Sequence, residues 1–401
     1  MQRKGKLLKI FSLPEVLAFL KEHKEEDIHG LALQFGTKLS FPLPPVLEWI
    51  DCLQRAKKKL PLHAKAMCYF TRRSLEQASS EATADYKANR IAGTKLLNLS
   101  GGLGIDDWAF AQQGMLVISL DPDEALNELV MANQALMDVK GIERRNEKAE
   151  AFITELGAEH FDWIYADPDR REEGKRRVGL DDCAPAIKSI WPEIQKHSNQ
   201  QLIKLSPLYP LEQLEKELLG LERIEVVALN GEVKEVLAYA KSGAQNEMVP
   251  RMAVEISGNV SYSGVPSPAR SELLQDEGYF YEIHPSLSKS NLGGTYAREF
   301  GLKSLIPNGI YLVDDRPHPD FFGRGFEVIA KGVYSRRSFQ QYLKEQKIIK
   351  ANLASRYFKL SPEELKKIHK ISDGGEVYFF FYTAANGLLN FVHGKKLAYN
   401  S

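Results

Sequence analysis

Leu96–Asp106, LLNLSGGLGID, is the stretch that decides how this chain is read. An apolar run, Leu96, Leu97 and Leu99, stops at Ser100-Gly101-Gly102-Leu103-Gly104, and an Ala-containing segment starts at Asp106. Strand, tight glycine turn and helix follow one another there, and a turn without side chains lets a ligand lie against the main chain and the helix N-terminus. Roughly 20 residues beyond the turn a second apolar run, Met115–Leu120, ends in Asp121, an acid able to accept both hydroxyls of a ribose. The pair predicts a nucleoside-cofactor site on a doubly wound α/β sheet.

The spacing separates the candidate cofactors. A dinucleotide site uses Gly-x-Gly-x-x-Gly, but here Gly102-x-Gly104-x-x leads to Asp107. A P-loop needs Gly-Lys-Ser/Thr after the turn, and none follows. S-adenosylmethionine carries no phosphate, so close backbone approach and a ribose-binding acid suffice. The sequence offers both.

Composition bounds the rest. The 401 residues are a prior for two or three domains, and 43% hydrophobic residues can build real cores. Lys plus Arg equals Asp plus Glu at 53 each, so any preference for nucleic acid must be local. Cys52, Cys68 and Cys183 lie far apart with no C-x-x-C, which fits a reducing compartment and gives no zinc signature. The nine histidines form no H-E-x-x-H, and no metal is expected. The start MQRKGKLLKIFSLPEV is basic without a long apolar core, and no apolar run approaches the roughly 20 residues of a membrane span. A soluble protein of the cytoplasm is expected, without membrane contact.

Along the chain, residues 1–75 read as a helical N-terminal region. Val46, Leu47, Trp49, Ile50 and Leu53 mark one amphipathic helix behind Pro42, Pro44 and Pro45, with its basic end Arg55–Lys59 read as a solvated C-terminus. Gln77–Ala88 reads as a helix leading into the glycine strand. From Lys95 strands are expected at 95–100, 115–120, 142–146, 161–166 and 201–206 with helices between, the rhythm of a parallel sheet. Ile224–Leu229, Asn230-Gly231 and Val233–Ala240 then read as a hairpin, because Asn-Gly between apolar runs is the strongest short hairpin signal. Arg251–Ile256 is a further strand of that edge. Ser257–Arg270 is rich in Gly, Ser and Pro and marks a boundary. The block from Glu327 onward carries 13 Lys/Arg against 6 Asp/Glu, 13 − 6 = +7 in a neutral chain. Within it Val377–Tyr382, VYFFFY, reads as a buried strand whose aromatics are core.

The chain resembles a bacterial family, the class I S-adenosylmethionine-dependent methyltransferases with a C-terminal THUMP-like domain. The resemblance rests on NLSGGLGID at 98–106, EQASSEATADYKA at 76–88, YADPDRR at 165–171, KLSPLYPL at 204–211 and RYFKLSPEELKKIHKISDGGEVYFF at 356–380. It implies a Rossmann-like parallel sheet with an antiparallel hairpin edge over 76–262, a linker and small mixed α/β segment over 263–326, and a basic α+β THUMP-like domain over 327–401. It also implies a tail similar to RNA-binding modules of tRNA- and rRNA-modifying enzymes. Asn98, Ser100, Gly101, Gly102, Gly104 and Asp121 are the expected cofactor contacts. Asn98 stands where such enzymes carry an acid, and Ser100 stands for the first glycine. The acid often found after the third strand falls near Lys148, so Glu147 is the expected adenine contact.

The chemistry is expected at the fourth strand, where Phe161–Ala166 runs into Asp167-Pro168-Asp169-Arg170. Ligands of a doubly wound sheet sit outside the carboxyl ends of the strands, which puts Asp167 beside a methyl group carried at the glycine turn. Methyl transfer is an in-line displacement at a sulfonium carbon, and holding the nucleophile behind that carbon supplies most of the catalysis without a metal. Asp167, Pro168, Asp169 and Arg170 are the catalytic candidates. Arg170, Arg171 and Tyr209 are the candidates for holding the acceptor. Amine-methylating nucleic-acid enzymes typically follow Asp/Asn-Pro-Pro with an aromatic that stacks on the extruded base; here Asp169 and Arg170 take those places, and Tyr165 or Tyr209 would have to serve. The sequence therefore predicts an S-adenosylmethionine-dependent methyltransferase of tRNA or rRNA. Two rivals are an RNA-binding or scaffold protein with a degenerate cofactor pocket, and a methyltransferase of a small acidic metabolite.

Overall fold

Packing of the N-terminal helices follows from their apolar spacing. In the computed structural model, which describes residues 5–36, 38–170, 179–244, 248–275 and 277–398, the chain begins with α1 (Gly5–Phe11), α2 (Pro14–His23), α3 (Ile28–Phe35) and α4 (Leu43–Lys59). Pro44 and Pro45 sit in the first turn of α4, where a missing N–H costs no helix bond. Val46, Trp49, Ile50 and Leu53 recur at helical spacing and are buried. Trp49 packs against Phe11 and Tyr69 and donates its indole N–H to the Cys68 carbonyl at 2.9 Å. The basic end of α4 is more than a solvated terminus. Arg55 pairs with Glu76 at 3.1 Å, Lys57 with Glu25, and Lys59 donates to the Leu75 carbonyl at 2.8 Å.

Three short helices lead to the sheet: α5 (Pro61–Lys65), α6 (Arg72–Gln77) and α7 (Glu81–Ala88). The helix expected over 77–88 thus begins only at Glu81, and Gln77 closes α6. Ala78 is extended, and Ser80 accepts from the Thr83 N–H as an N-cap, so the chain restarts where a side-chain oxygen can satisfy a free amide. Glu81 ties α7 to α5: its carboxylate accepts from the Leu62 and His63 amides at 3.0 Å each and meets His63 Nδ1 at 2.6 Å.

Residues 1–222 and 237–246 form one compact unit, and 223–236 and 247–401 a second. In the first, β1 (Lys95–Asn98), β2 (Leu116–Leu120), β3 (Ile142–Arg145), β4 (Phe161–Ala166) and β5 (Ser198–Leu205) lie in the order β5-β4-β1-β2-β3. Every pair is parallel, with Leu97 opposite both Ile118 and Ile164, and Ile164 opposite Gln201. The helices α8 (Ile105–Gln112), α9 (Glu124–Leu136), α10 (Ala149–Glu155) and α11 (Ile187–His197) alternate with these strands along the chain. The order reverses at β1, whose neighbours β2 and β4 lead away on opposite sides, so the switch point lies at the carboxyl end of β1, at the glycine turn.

In the second unit the hairpin turn Asn230-Gly231 has φ 55° and 76°, both left-handed as a type I′ turn requires. It joins β6 (Leu221–Leu229) to β7 (Glu232–Lys241). β8 (Arg251–Glu255) runs parallel to β6, and β9 (Val260–Gly264) antiparallel to β8, so part of the Gly/Ser/Pro-rich stretch is strand. A seven-stranded sheet follows, built from β10 (Tyr279–Ile283), β11 (Lys303–Ser304), β12 (Tyr311–Asp314), β13 (Gly323–Val333), β14 (Asn352–Arg356), β15 (Val377–Thr383) and β16 (Leu389–Lys396), in the order β11-β12-β10-β13-β16-β15-β14. The aromatics of β15 are core on both faces. Phe379 and Phe381 pack with Phe339, Leu343 and Leu365 from the helices Arg336–Glu345 and Pro362–His369, while Phe380 and Tyr382 pack with Phe280 and Tyr311.

Glu81→Ala leaves one buried amide, one half-buried amide and the His63 ring without this acceptor and is expected to cost about 1–3 kcal/mol of stability, measured by urea unfolding. Burial would raise the Glu81 pKa, but the His63 ring and the two amides outweigh it and hold the carboxyl below its ordinary 4.5. Because the folded value is lowered, its contribution is complete above pH 4.5 and is lost as pH falls from there through the folded value. Unfolding curves at pH 7 and pH 3 should differ less for Glu81→Ala than for the wild type.

Candidate active site

A cavity of about 1630 Å³ opens at the carboxyl ends of these strands, within the first unit. Small-molecule sites usually occupy roughly 300–1,000 Å³, so it has room for a nucleoside cofactor and part of an acceptor together. Ser100, Gly101, Gly102 and Gly104 line it from the turn after β1, Asp121 from the end of β2, Asp167, Pro168 and Asp169 from the end of β4, and Lys204 and Tyr209 from β5 and beyond. The topology thus gathers residues more than a hundred positions apart.

The turn is shaped by its backbone. Gly102 and Gly104 stand at φ 51° and 78°, a region costly for other residues. The Gly102 amide donates to Asp121 Oδ2 at 3.0 Å, and the Asp123 amide to Oδ1 at 2.8 Å. A carboxylate has about four lone-pair sites, so each oxygen can still accept a hydroxyl from the cavity. Pro122, Ala125, Leu126 and Leu129 add apolar lining after Asp121. A neutral turn, an available acid and an apolar wall fit the adenosine part of S-adenosylmethionine.

Gly101 is needed for a different reason than a ligand's approach. A Cβ there would lie 2.1 Å from Arg144 Nη1 and 2.5 Å from Ser119 Oγ, so the protein's own side chains fill that space. Asn98 is likewise turned inward, buried and absent from the cavity lining. Its Nδ2 donates to Asp107 Oδ1 at 2.6 Å, and its Oδ1 accepts from the Ser100 amide at 2.9 Å. The expected cofactor contact is a brace for the turn. Glu147 is exposed and absent from the lining, where Lys148, Ala149 and Glu150 stand instead. The carboxylate of Glu150 accepts from the Ala186 amide at 3.0 Å.

At the other end of the cavity Asp167 forms an ion pair with Lys204, with Nζ 2.5 Å from Oδ2, and its amide donates to Ser100 Oγ at 2.6 Å. The two side chains come from the ends of adjacent parallel strands. Beneath them Asp106 accepts from Ser79 Oγ at 2.8 Å and Tyr165 OH at 2.9 Å and pairs with the fully buried Lys87 at 3.1 Å. Burial pushes the Asp106 carboxyl up, but Lys87, Lys204 and the two hydroxyls outweigh it and hold it below the usual range. Asp169 accepts from Gln77 Nε2 at 2.8 Å, and α6 brings Thr71, Arg72 and Arg73 to the same wall. Residues from the N-terminal helices therefore form part of the cavity.

Two sequence expectations meet a different arrangement. Tyr165 is fully buried with its ring edge-on to Phe110, and Tyr209 is 3% exposed and hydrogen-bonded to Glu217, so neither presents a face for stacking. The backbone of Arg170 pairs with Cys183 in a short antiparallel ladder, and Arg171 lies outside the described residues. Sequence reasoning missed Lys204, Asp106 and Arg144. Only Lys204 had a usable signal, a cation at the carboxyl end of an expected strand in a doubly wound sheet.

Comparison with known proteins bears on the fold and the cofactor class. Residues 323–391 match the model of the THUMP domain-like family. Uncharacterized S-adenosylmethionine-dependent methyltransferases of two Mycobacterium tuberculosis strains, CDC 1551 and H37Rv, are 25% identical over 307 residues, 74% of this chain and 80% of theirs. The crystal structure of a methyltransferase candidate from Porphyromonas gingivalis W83 superposes with a TM-score of 0.84 at 27% identity, covering 97% of this chain and 98% of that one. None of the helices among the described residues is long and apolar enough to cross a membrane. In strand order, glycine turn and C-terminal module, the chain has the class I S-adenosylmethionine-dependent methyltransferase fold and carries a THUMP-like domain.

Proposed function

We propose that the protein is a cytoplasmic S-adenosylmethionine-dependent methyltransferase that acts on structured RNA, tRNA or rRNA. One observation carries the reading: a ribose-accepting acid on a glycine turn, Asp121 with Gly102, and an acid–lysine pair, Asp167 with Lys204, line a single cavity at the switch point. Bound S-adenosylmethionine supplies a sulfonium methyl group, which needs a nucleophile held in line and no metal. Asp167 accepts hydrogen bonds from an acceptor amine and aims its lone pair, while Lys204 keeps the carboxylate from swinging away. Pro168 stiffens the peptide that follows, and Asp169, steadied by Gln77, stands at the cavity wall. The RNA part is supported by the +7 excess of the block from Glu327 and by the THUMP-like match over 323–391.

A small acidic acceptor is the second reading. It is favoured by the lack of an exposed stacking ring among the described lining residues and by the cation Lys204 within the cavity. Profiling RNA nucleosides in a strain lacking the protein tests the first reading directly. A methylated nucleoside that disappears supports it, and an unchanged profile favours the metabolite.

Asp167→Ala is expected to slow transfer by about 10²-fold or more, since misplacing the nucleophile by an ångström costs that much, while S-adenosylmethionine affinity by titration calorimetry stays within a few-fold. Unchanged turnover removes Asp167 from the mechanism. RNA binding by the full chain should weaken with salt at a log–log slope of about −3 or steeper, as for four or more phosphate contacts on a single strand. A flat salt dependence of acceptor binding speaks for the small molecule.

A further inference from the structure

The glycine turn and its acid are braced from below by one buried cation. Arg144, on β3, has a side chain only 1% exposed. Its guanidinium donates through Nε to Asn127 Oδ1 at 2.7 Å, through Nη1 to Ser119 Oγ at 2.9 Å and Asp107 Oδ2 at 3.1 Å, and through Nη2 to the Gly102 carbonyl at 2.5 Å. Nη2 also stands 3.9 Å from Asp121 Oδ2. These partners belong to two stretches, the turn with α8 and β2 with α9, so a planar fork with fixed donor directions ties both to β3.

Gly102 is the pivot. Its amide holds Asp121 and its carbonyl is held by Arg144, so the guanidinium sets the orientation of the residue that orients the acid. Asn127, the partner of Nε, also donates to the Asp121 carbonyl at 2.8 Å, which fixes the same residue from its main chain. Gly101 gives the complementary observation. Its missing Cβ is the space that Arg144 Nη1 and Ser119 Oγ occupy, so the glycine and the arginine require each other.

We propose that Arg144 is the positioning residue of the cofactor cradle, holding the Gly102 peptide and the Asp121 carboxylate in the arrangement that a ribose diol meets, and that Gly101 is glycine to admit it. Arg144 does not touch the ligand. The inference rests on the S-adenosylmethionine reading above, and its test separates the two.

S-adenosylmethionine binding is measured by titration calorimetry on full-length wild type, Arg144→Lys, Arg144→Met, Arg144→Ala, Gly101→Ala and Gly101→Ala/Arg144→Ala, alongside thermal unfolding and kinetics. Arg144→Met is expected to weaken binding about tenfold or more, the scale of one charged hydrogen bond, and to raise KM for the cofactor with kcat at saturation little changed. Arg144→Lys, which keeps the charge and loses the fork, is expected to fall between the two. Gly101→Ala should cost less affinity in the Arg144→Ala background than in the wild type, because only the Ser119 Oγ contact of the new Cβ then remains. A merely structural arginine would lower the melting temperature of Arg144→Met and leave the affinity of the folded protein at the wild-type value, and that result overturns the proposal. If Arg144→Met does not fold, wild-type affinity in Arg144→Lys overturns it equally. A wild type that binds no S-adenosylmethionine overturns the functional reading, and this proposal falls with it.

Discussion

Removing a charged pair from water is expensive, and the buried Asp107–Arg144 pair is tolerable only because its neighbours complete it. Burial pushes the Asp107 carboxyl up, against the pull of Arg144 and the hydrogen bonds from Asn98 and Ser119. Two of these donors, Arg144 and Asn98, also hold the turn after β1, at the Gly102 carbonyl and the Ser100 amide. The network therefore converts an electrostatic necessity into geometry: the carbonyl of Gly102 can point in only one direction if the guanidinium is to be satisfied. The replacement of an acid by Asn98 makes sense in this setting. An amide can donate to Asp107 and accept from Ser100 at once, which a carboxylate cannot do.

Two carboxylates on the cavity wall have opposite surroundings. Asp121 is held by two backbone amides beside an apolar wall, with lone pairs to spare for neutral hydroxyls. Asp167 is matched by a lysine from the next strand. Under the proposed function this division is useful, since an acid that binds a neutral sugar needs to accept and one that directs a nucleophile needs to stay in place. The N-terminal helices contribute to the same space. Ser79 and Gln77 hold Asp106 and Asp169, so the region is part of the site's construction as well as its cover.

The second unit is held together by aromatic rings on both faces of one strand. In β15 successive side chains point to opposite faces, and Phe379 and Phe381 meet the two helices while Phe380 and Tyr382 meet the rest of the sheet. With the β15 rings spent on packing, this block also presents basic charge. Arg336, Arg337 and Lys344 lie on the solvent side of the helix whose Phe339 and Leu343 are buried.

The sequence alone determined the alternating strands and helices, the Gly102 and Gly104 turn, the Asn230-Gly231 hairpin and the buried β15, because each is written in neighbouring residues: periodicity, a left-handed glycine, a paired turn. It also led to Asp121 and Asp167, since the carboxyl end of a parallel strand is a legible position. Tertiary structure decided what those positions touch. Arg144 lies 42 residues from the carbonyl it holds, Lys204 lies 37 from Asp167, and Gln77 lies 92 from Asp169. A pairing between distant segments leaves no local periodicity, so Asn98 and Glu147 read as contacts until the fold turned one inward and left the other in solvent.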